Sequence, residues 1–457
     1  MASEAIDLGP AASTAPALAA EPFPPRFAAW YAVWMIALAN ALDAVDRGTI
    51  SLLIEPMKRD LHITDTEVSL LTGTAFSLFY GLVGLPMSRL ADTWNRKRII
   101  GSAMVLWSAA TAGCGFAQGF ASLFAMRGLT GSAVSLKGPN GLSMISDLVP
   151  RHKLPTAMAV FNWGISLGGS LTLIIGGALV GYLGGRTFEL FGTTLKDWQM
   201  IFLIIGTPGV FAGLVFFSTV REPLRRGRAA SMRLPVLDVF RFAAREKAIY
   251  VPFMVGSALL QIEAVGVLNW RIPFYARTFG WGPEVIGPLA GTATLVLTPF
   301  GLALGALLGE LWTRRGDAGA MVKLSIMGSC ISLPLTLAGL LMPTAWLAFA
   351  FSSASIVAIG LSAPGAVAAL QMVTPNEFRG QISAAYLFTI GVIGGALGPL
   401  AVALFTDYVF ADEAMLRYSM VVVTVLFGGA GLWLKFVSLK PYKERVSRVI
   451  AEEEAAA

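Results

Sequence analysis

Phe27–Met57 reads FAAWYAVWMIALANALDAVDRGTISLLIEPM, an apolar run that carries Asp43-Ala-Val-Asp46-Arg47 in its middle. The run is long enough to cross a hydrocarbon core of roughly 30 Å as a helix. A charge held at mid-bilayer costs roughly 2.5–3.5 kcal/mol, so three facing lipid would cost on the order of 8–10 kcal/mol. They must therefore face protein or a water-filled cavity. At 100° per residue, Asn40, Asp43, Asp46 and Arg47 fall within an arc of about 120°. One polar stripe on an otherwise apolar span reads as the wall of a pathway, and a pathway through a membrane implies transport.

The rest of the 457 residues agrees with that reading. Hydrophobic residues make up 55% and charged residues 14%, and the mean hydropathy is +0.68, far from an average soluble domain. About twelve apolar stretches are long enough to span. They fall near 27–54, 66–88, 98–118, 121–148, 154–183, 198–220, 248–270, 285–310, 320–341, 344–372, 379–406 and 415–437. Gly176, Gly177, Gly181, Gly184 and Gly185 blur the exit of the fifth, so the fifth and sixth are the least certain division. The expected fold is all-α, two six-helix bundles.

Net charge is +6, but its distribution argues against a nucleic-acid surface. With both termini inside, roughly 24 of the 34 Lys and Arg fall on the cytoplasmic side and about 7 outside, the asymmetry of a multi-pass membrane protein. Arg89, Arg96, Lys97, Arg98, Arg151 and Lys153 lie in the inner loops of the first half. Residues 1–26 hold no basic residue before Arg26 and are rich in Ala and Pro, unlike a signal peptide. They read as a disordered cytoplasmic tail. Residues 27–220 form an N-terminal bundle, 221–247 a cytoplasmic linker, 248–438 a C-terminal bundle and 439–457 a second tail. Cys114 and Cys330 sit in apolar stretches of opposite halves and imply neither a metal site nor a disulfide. His62 and His152 fall in loops, so no buried histidine relay is available. No Walker loop, metal cluster or catalytic triad is visible. An ATP-driven pump and an enzyme are disfavoured, and no cofactor is expected.

The two halves repeat their punctuation. Asp92 is followed four positions later by Arg96 and Lys97, and Glu310 by Arg314 and Arg315. Val149-Pro150-Arg151 has its counterpart in Thr374-Pro375-Asn376. Repeated halves with a shared site between them are the architecture of alternating-access carriers.

At this point the chain resembles the major facilitator superfamily, whose signature between the second and third helices looks like the loop around Asp92. Ser88 and Asn95 stand where that signature has glycines, and Asn tolerates the left-handed conformation that glycine would supply. The resemblance implies that Asp92, Arg96 and Lys97, with Glu310, Arg314 and Arg315 in the second half, form a cytoplasmic gate. More specifically, the chain is similar to bacterial members of the spinster family over roughly Leu42–Tyr418. That likeness rests on Asp46-Arg47, Asp65-Thr66-Glu67-Val68-Ser69-Leu70-Leu71-Thr72-Gly73, the Asp92 loop, Arg127-Gly128-Leu129-Thr130-Gly131, Leu370-Gln371-Met372-Val373-Thr374-Pro375-Asn376 and Thr406-Asp407-Tyr408-Val409-Phe410. It implies that Asp46 and Arg47 serve proton coupling and substrate response, and that an acidic residue on the fourth helix joins them. Counted from Arg127, that acidic position is Val134. Val cannot titrate, and Lys137 lies one turn further on.

Charge arithmetic then points to an anion. Asp43 and Asp46 stand against Arg47, Arg127 and Lys137, a formal excess of one positive charge, and a positive midplane site favours an anionic group. Arg47 or Lys137 is the expected contact, with Arg127 more often a packing residue. Asp43 and Arg47 are spaced to pair on one helix; the carboxylate left without a partner is the candidate proton carrier, with Glu263 on the seventh span as a second. The glycines of the fifth and eleventh spans (Gly164, Gly168, Gly169, Gly176 and Gly177; Gly391, Gly394, Gly395 and Gly398) read as sites of close helix approach. Phe161, Trp163, Trp270, Phe274 and Tyr275 read as core or interfacial belt rather than cavity wall. The expected protein is a monomeric secondary carrier in the bacterial inner membrane, both termini cytoplasmic. It moves an organic anion, lysolipid-like, sphingoid-like or an aromatic acid, with protons as the candidate coupling ion. The alternatives are an uncoupled facilitator and a non-transporting sensor on the same fold.

Overall fold

Twelve long helices account for the apolar stretches, and their ends are set by local chemistry. A computed structural model describes residues 23–87, 94–190, 192–225, 236–375 and 377–456. The N-terminal tail before 23 and the loop at Asp92 lie outside the described residues. The helices are α1 Arg26–Leu52, α2 65–87, α3 Arg96–Cys114, α4 120–148, α5 Leu154–Leu183 and α6 Asp197–Thr219 in the first half. The second half holds α7 Lys247–Phe279, α8 Pro283–Arg314, α9 Ala320–Leu341, α10 Ala345–Val373, α11 Arg379–Phe410 and α12 416–456. Ten helical segments are long and apolar enough to cross a membrane among the described residues. The basic start of α3 and the break in α4 at Leu136 set those two helices apart.

Capping explains several starts. Thr64 and Glu67 form a reciprocal box before α2: the Glu67 amide donates to Thr64 Oγ1 at 3.2 Å and the Thr64 amide to Glu67 Oε2 at 2.8 Å. Asn95 accepts from the Arg98 amide at 2.9 Å and caps α3. Its φ of −70° is extended, so the residue acts through its side chain and not through the left-handed tolerance expected from the sequence.

Four features depart from the sequence reading. α7 runs to Phe279, nine residues past the expected end, with Pro273 inside the helix. A short antiparallel pair, β1 Thr187–Leu190 and β2 Thr193–Lys196, joins α5 to α6. The linker carries a helix, Val236–Arg245, before α7. α12 continues to Ala456, so the C-terminal tail is helical.

Packing follows one rule in both halves. α1 lies on α5 as α7 lies on α11, α2 on α4 as α8 on α10, and α3 on α4 as α9 on α10. The seams between halves, α2 with α11 and α5 with α8, correspond under the same relation. Close approach at small residues makes this possible. A Cβ on Gly164 would run into the Ala37 carbonyl oxygen, and one on Gly177 would meet the Pro283 carbonyl of the other half. Gly169 and Gly391 meet nothing, so those two glycines of the expected set are not packing positions.

Among the described residues, the halves share an apolar cluster at one end. At the end remote from the termini, one apolar cluster runs from Ile50, Leu53 and Met57 through Leu173 to Trp270, Phe274 and Leu416. At the end bearing the termini, each half keeps its own cluster, around Trp107 and Ile145 in one and Phe253 and Tyr442 in the other. Charges reinforce the closed end. Arg277, on the extended part of α7, bonds Asp65 Oδ2 at 2.6 Å and Glu55 Oε1 at 2.8 Å across the seam. Lys58 pairs with Asp65 and with Glu413, the latter at 2.7 Å. Asp407 accepts from the Thr66 amide and hydroxyl at 2.7 and 2.6 Å. Asp65 is fully buried.

Two outcomes follow from this packing. Gly164→Val should lower the thermal midpoint of the purified protein sharply, whereas Gly391→Ala should leave it within about 2 °C of the parent, the change expected for well under 1 kcal/mol. Arg277→Gln leaves Asp65 with Lys58 alone and should loosen the closed end by about 1–3 kcal/mol, less than the loss of a sole buried partner. Spin labels at Arg59 and Val285 should show a broader distance distribution in that variant; an unchanged distribution would mean that apolar contact alone holds the end shut.

Candidate functional site

The polar stripe of α1 is where the first half gathers its charge. Asn40 is buried and donates to the Phe161 carbonyl of α5 at 2.9 Å, fixing the rotation of α1. With that rotation set, Asp43 and Asp46 are both buried inside the bundle. Asp43 Oδ2 accepts from Arg47 Nη2 and from Lys137 Nζ, each at 2.8 Å. One carboxylate thus holds two cations, one from its own helix and one from α4. The other Asp43 oxygen is buried without a partner.

Asp46 lacks a salt bridge among the described residues, and its Oδ2 is buried with no hydrogen-bond partner. Arg127 on α4 is buried as well, and its Nε and Nη1 are unpartnered. The Phe76 ring of α2 lies under two guanidinium groups, Arg47 at 5.4 Å and Arg127 at 5.7 Å from its centroid. The Lys137 ammonium faces the Trp107 ring at 5.6 Å. Val134 is buried in the apolar cluster of this half. Arg47 differs from its neighbours because its side chain is 43% exposed. Its guanidinium is pinned by one nitrogen and opens onto free space with the rest.

In the second half, Glu263 is buried on α7, with Thr424 of α12 donating to its Oε1 at 3.4 Å. Asn269 turns back to the Val265 carbonyl and does not reach it. Trp270, Phe274 and Tyr275 are core residues. Arg271 lies one residue past the expected end of α7, and its Nε is buried without an acceptor. Lys435 of α12 is also buried and donates to Ser325 Oγ at 2.6 Å. Sequence reading missed Arg271, Arg277 and Lys435. The first two carry a readable signal, an arginine pair flanking Pro273 on a helix whose apolar pattern resumes beyond it.

The gate residues separate into two kinds. Arg96 is buried and fully engaged: it bonds Asp147 of α4 at 2.5 Å, Glu222 after α6 at 2.8 Å, the Ser143 side chain at 2.9 Å and the Pro223 carbonyl at 3.1 Å. The Lys97 amide donates to Glu222 at 2.7 Å, and its ammonium stands over Phe217. These contacts lock α3, α4 and the end of α6 within one half. Their expected counterparts behave otherwise. Among the described residues, Glu310 pairs with Arg314 on its own helix at 2.5 Å, both exposed, and Arg315 is exposed too. The acid that ties the matching loop is Asp317, which takes Lys323 at 2.5 Å and the Gly319 amide at 2.9 Å. Asp92, the acid that Glu310 repeats in the sequence, lies outside the described residues.

Comparison with known proteins agrees with this architecture. The pattern of the Major Facilitator Superfamily matches residues 36–399. An MFS-type efflux pump of Mycolicibacterium smegmatis is 27% identical over 89% of this chain and 92% of its own length. A niacin transporter of Acinetobacter baylyi is 23% identical over 88% and 92%. Among solved structures, a bacterial homologue of the human lysosomal transporter Spinster, in an inward-facing and occupied conformation, superposes with a TM-score of 0.78 at 22% identity, covering 92% of this chain and 99% of that one. Twelve helices in two related halves, a polar stripe turned inward on α1 and a match across most of the chain identify this protein as a multi-pass membrane transporter of the Major Facilitator Superfamily.

Proposed function

We propose that the chain is a secondary carrier for an organic, amphipathic anion, and that protons drive it through Asp46 and Glu263. The observation that carries the anion reading is Arg47: a half-exposed guanidinium, held in place by Asp43, with Lys137 on the same carboxylate. Three cations share two carboxylates in this half, so an incoming anion supplies the missing charge. Arg presents a planar fork suited to a carboxylate or phosphate, while Lys137 contributes a point charge from behind. The names of the relatives, a niacin transporter and an efflux pump, are in keeping with an aromatic acid or a larger amphipathic anion.

Proton coupling rests on what Asp43 does to Asp46. Arg47 and Lys137 go to Asp43, and Asp46 is left buried with no salt bridge among the described residues, the buried Arg127 being the remaining cation of the cluster. Burial without a counter-ion favours the neutral form of a carboxylate in general, and a proton that binds in one state of the carrier and leaves in the other is the currency of coupling. Glu263, with one weak contact, stands in the same position in the other half. With both termini in the cytoplasm, the end that stays open is the cytoplasmic one, and the Arg277 cluster closes the external side. Arg96 and Lys97, with Asp92, serve as the cytoplasmic latch of the first half. We take the working unit to be one chain.

A second reading, an uncoupled facilitator of the same cargo, draws on Val134, the buried apolar residue at the position where the spinster resemblance places an acid.

Proteoliposome transport of labelled lysophospholipid, sphingoid phosphate and aromatic acids, with and without an imposed pH gradient, separates the two. Coupling predicts gradient-driven accumulation in the parent. Asp46→Asn or Glu263→Gln should abolish that accumulation while retaining exchange of labelled for unlabelled cargo. Equal equilibration with and without the gradient would establish the facilitator. Arg47→Ala should raise KM by roughly 10- to 100-fold, the loss of a charge-assisted hydrogen bond of about 1.5–3 kcal/mol. Transport lost in Arg127→Ala but intact in Arg47→Ala and Lys137→Ala would move the anion contact to Arg127.

A further inference from the structure

The second half holds a recess that the α1 stripe does not explain. It lies between α7, α9, α10 and α12 and measures about 90 Å³, with Arg271, Tyr275 and Ser352 on one side and Glu263 on another. By the scale of roughly 10–15 Å³ for each water, it has room for several waters or for one substituted ring. We propose that this recess is an anion subsite that seats a small aromatic carboxylate on Arg271. The proposal rests on the anion reading above and adds where the anion goes in the C-terminal half.

Three observations point to it. First, Arg271 has no carboxylate partner among the described residues, and its buried Nε has no acceptor at all. A buried guanidinium donor left unbonded is rare in folded proteins, because desolvation is not compensated. Arg277, further along α7, is by contrast bonded to two carboxylates. Second, Tyr275 brings a further donor to the same recess. Its hydroxyl shares a hydrogen bond of 3.1 Å with Ser352 Oγ, whose own proton goes to the Phe349 carbonyl at 3.1 Å, as that of Ser355 goes to the Ser352 carbonyl at 2.8 Å. A carboxylate that displaces the shared bond can take the guanidinium and a hydroxyl together. Third, the remaining walls are apolar, with Val267, Phe274, Leu340 and Met420 among them, the surface that a ring would bury.

The shape limits the ligand. Glu263 lies eight residues before Arg271, about 12 Å along the helix axis, and borders the same recess. A long acyl chain has no room in a recess of this volume. The selected class is therefore a small aromatic acid and not a lysolipid.

Equilibrium binding of labelled benzoate to the purified full chain in detergent tests this, with acetate as the probe that lacks a ring. Arg271→Gln and the recess-filling Ser355→Phe should each weaken benzoate binding at least 10-fold. Arg271→Lys should retain part of it, and acetate should bind much more weakly than benzoate. Size-exclusion profiles and melting curves establish that each variant is folded, and Ser355→Phe decides the matter where Arg271→Gln is not. Benzoate binding by Arg271→Gln and Ser355→Phe at parental strength overturns the proposal. If Arg47→Gln alone abolishes binding, the recess is excluded while the anion reading stands. If the parent binds no benzoate, the recess is likewise excluded, and the transport assay with larger anions judges the anion reading by itself.

Discussion

Asp43 holds Arg47 of its own helix and Lys137 of α4 on a single oxygen, and the electrostatics of the first half depend on that sharing. In a bundle surrounded by hydrocarbon, a charge has no water to fall back on, so each cation must find a counter-charge inside the protein. One carboxylate that serves two cations uses up the available pairing. What remains, Asp46 and Arg127, is buried and only partly satisfied. The half-exposed guanidinium of Arg47 is the point at which this internal imbalance meets the open space between the halves.

The second half meets the same constraint differently. Its buried charges are dispersed: Glu263 against Thr424, Lys435 against Ser325, and Arg271 with its Nε lacking an acceptor. Among the described residues, no buried carboxylate of that half holds two cations as Asp43 does. The halves therefore share helix packing but not chemistry. That asymmetry allows one half to anchor charge through a network while the other offers separate polar points along α7. The far end binds the two together through Arg277, Asp65 and Glu55.

Much of the fold was legible because hydrocarbon imposes a simple rule on sequence. Long apolar runs had to be spanning helices, and the charged stripe of α1 had to face inward. The reading failed where a proline or a short polar stretch hid continuity. α7 runs through Pro273 to Phe279, so Arg271 and Arg277 were placed beyond a helix to which they belong. The repeat of acid and base at Glu310 was a true repeat of letters. Glu310 and Arg314 are exposed and pair along one helix, because residues four apart on a helix lie side by side. Asn95 was read through backbone tolerance and acts instead as a cap.

By itself, the sequence determined twelve spans, their division into two related halves, the pairing of Asp43 with Arg47 one turn away, and the charged identity of the α1 stripe. Each of these depends on composition and on spacings of four residues or fewer along one helix. Tertiary structure alone decided that Lys137 reaches Asp43, that Asp46 is left without a salt bridge among the described residues, that Arg277 bridges the halves 212 residues from Asp65, and that Arg271 borders a recess. Those outcomes depend on how α1, α4, α7 and α10 are rotated and tilted against one another. Rotation is set by the fit of glycine-sized surfaces such as Gly164 on Ala37, a property of two helices together that neither sequence carries alone.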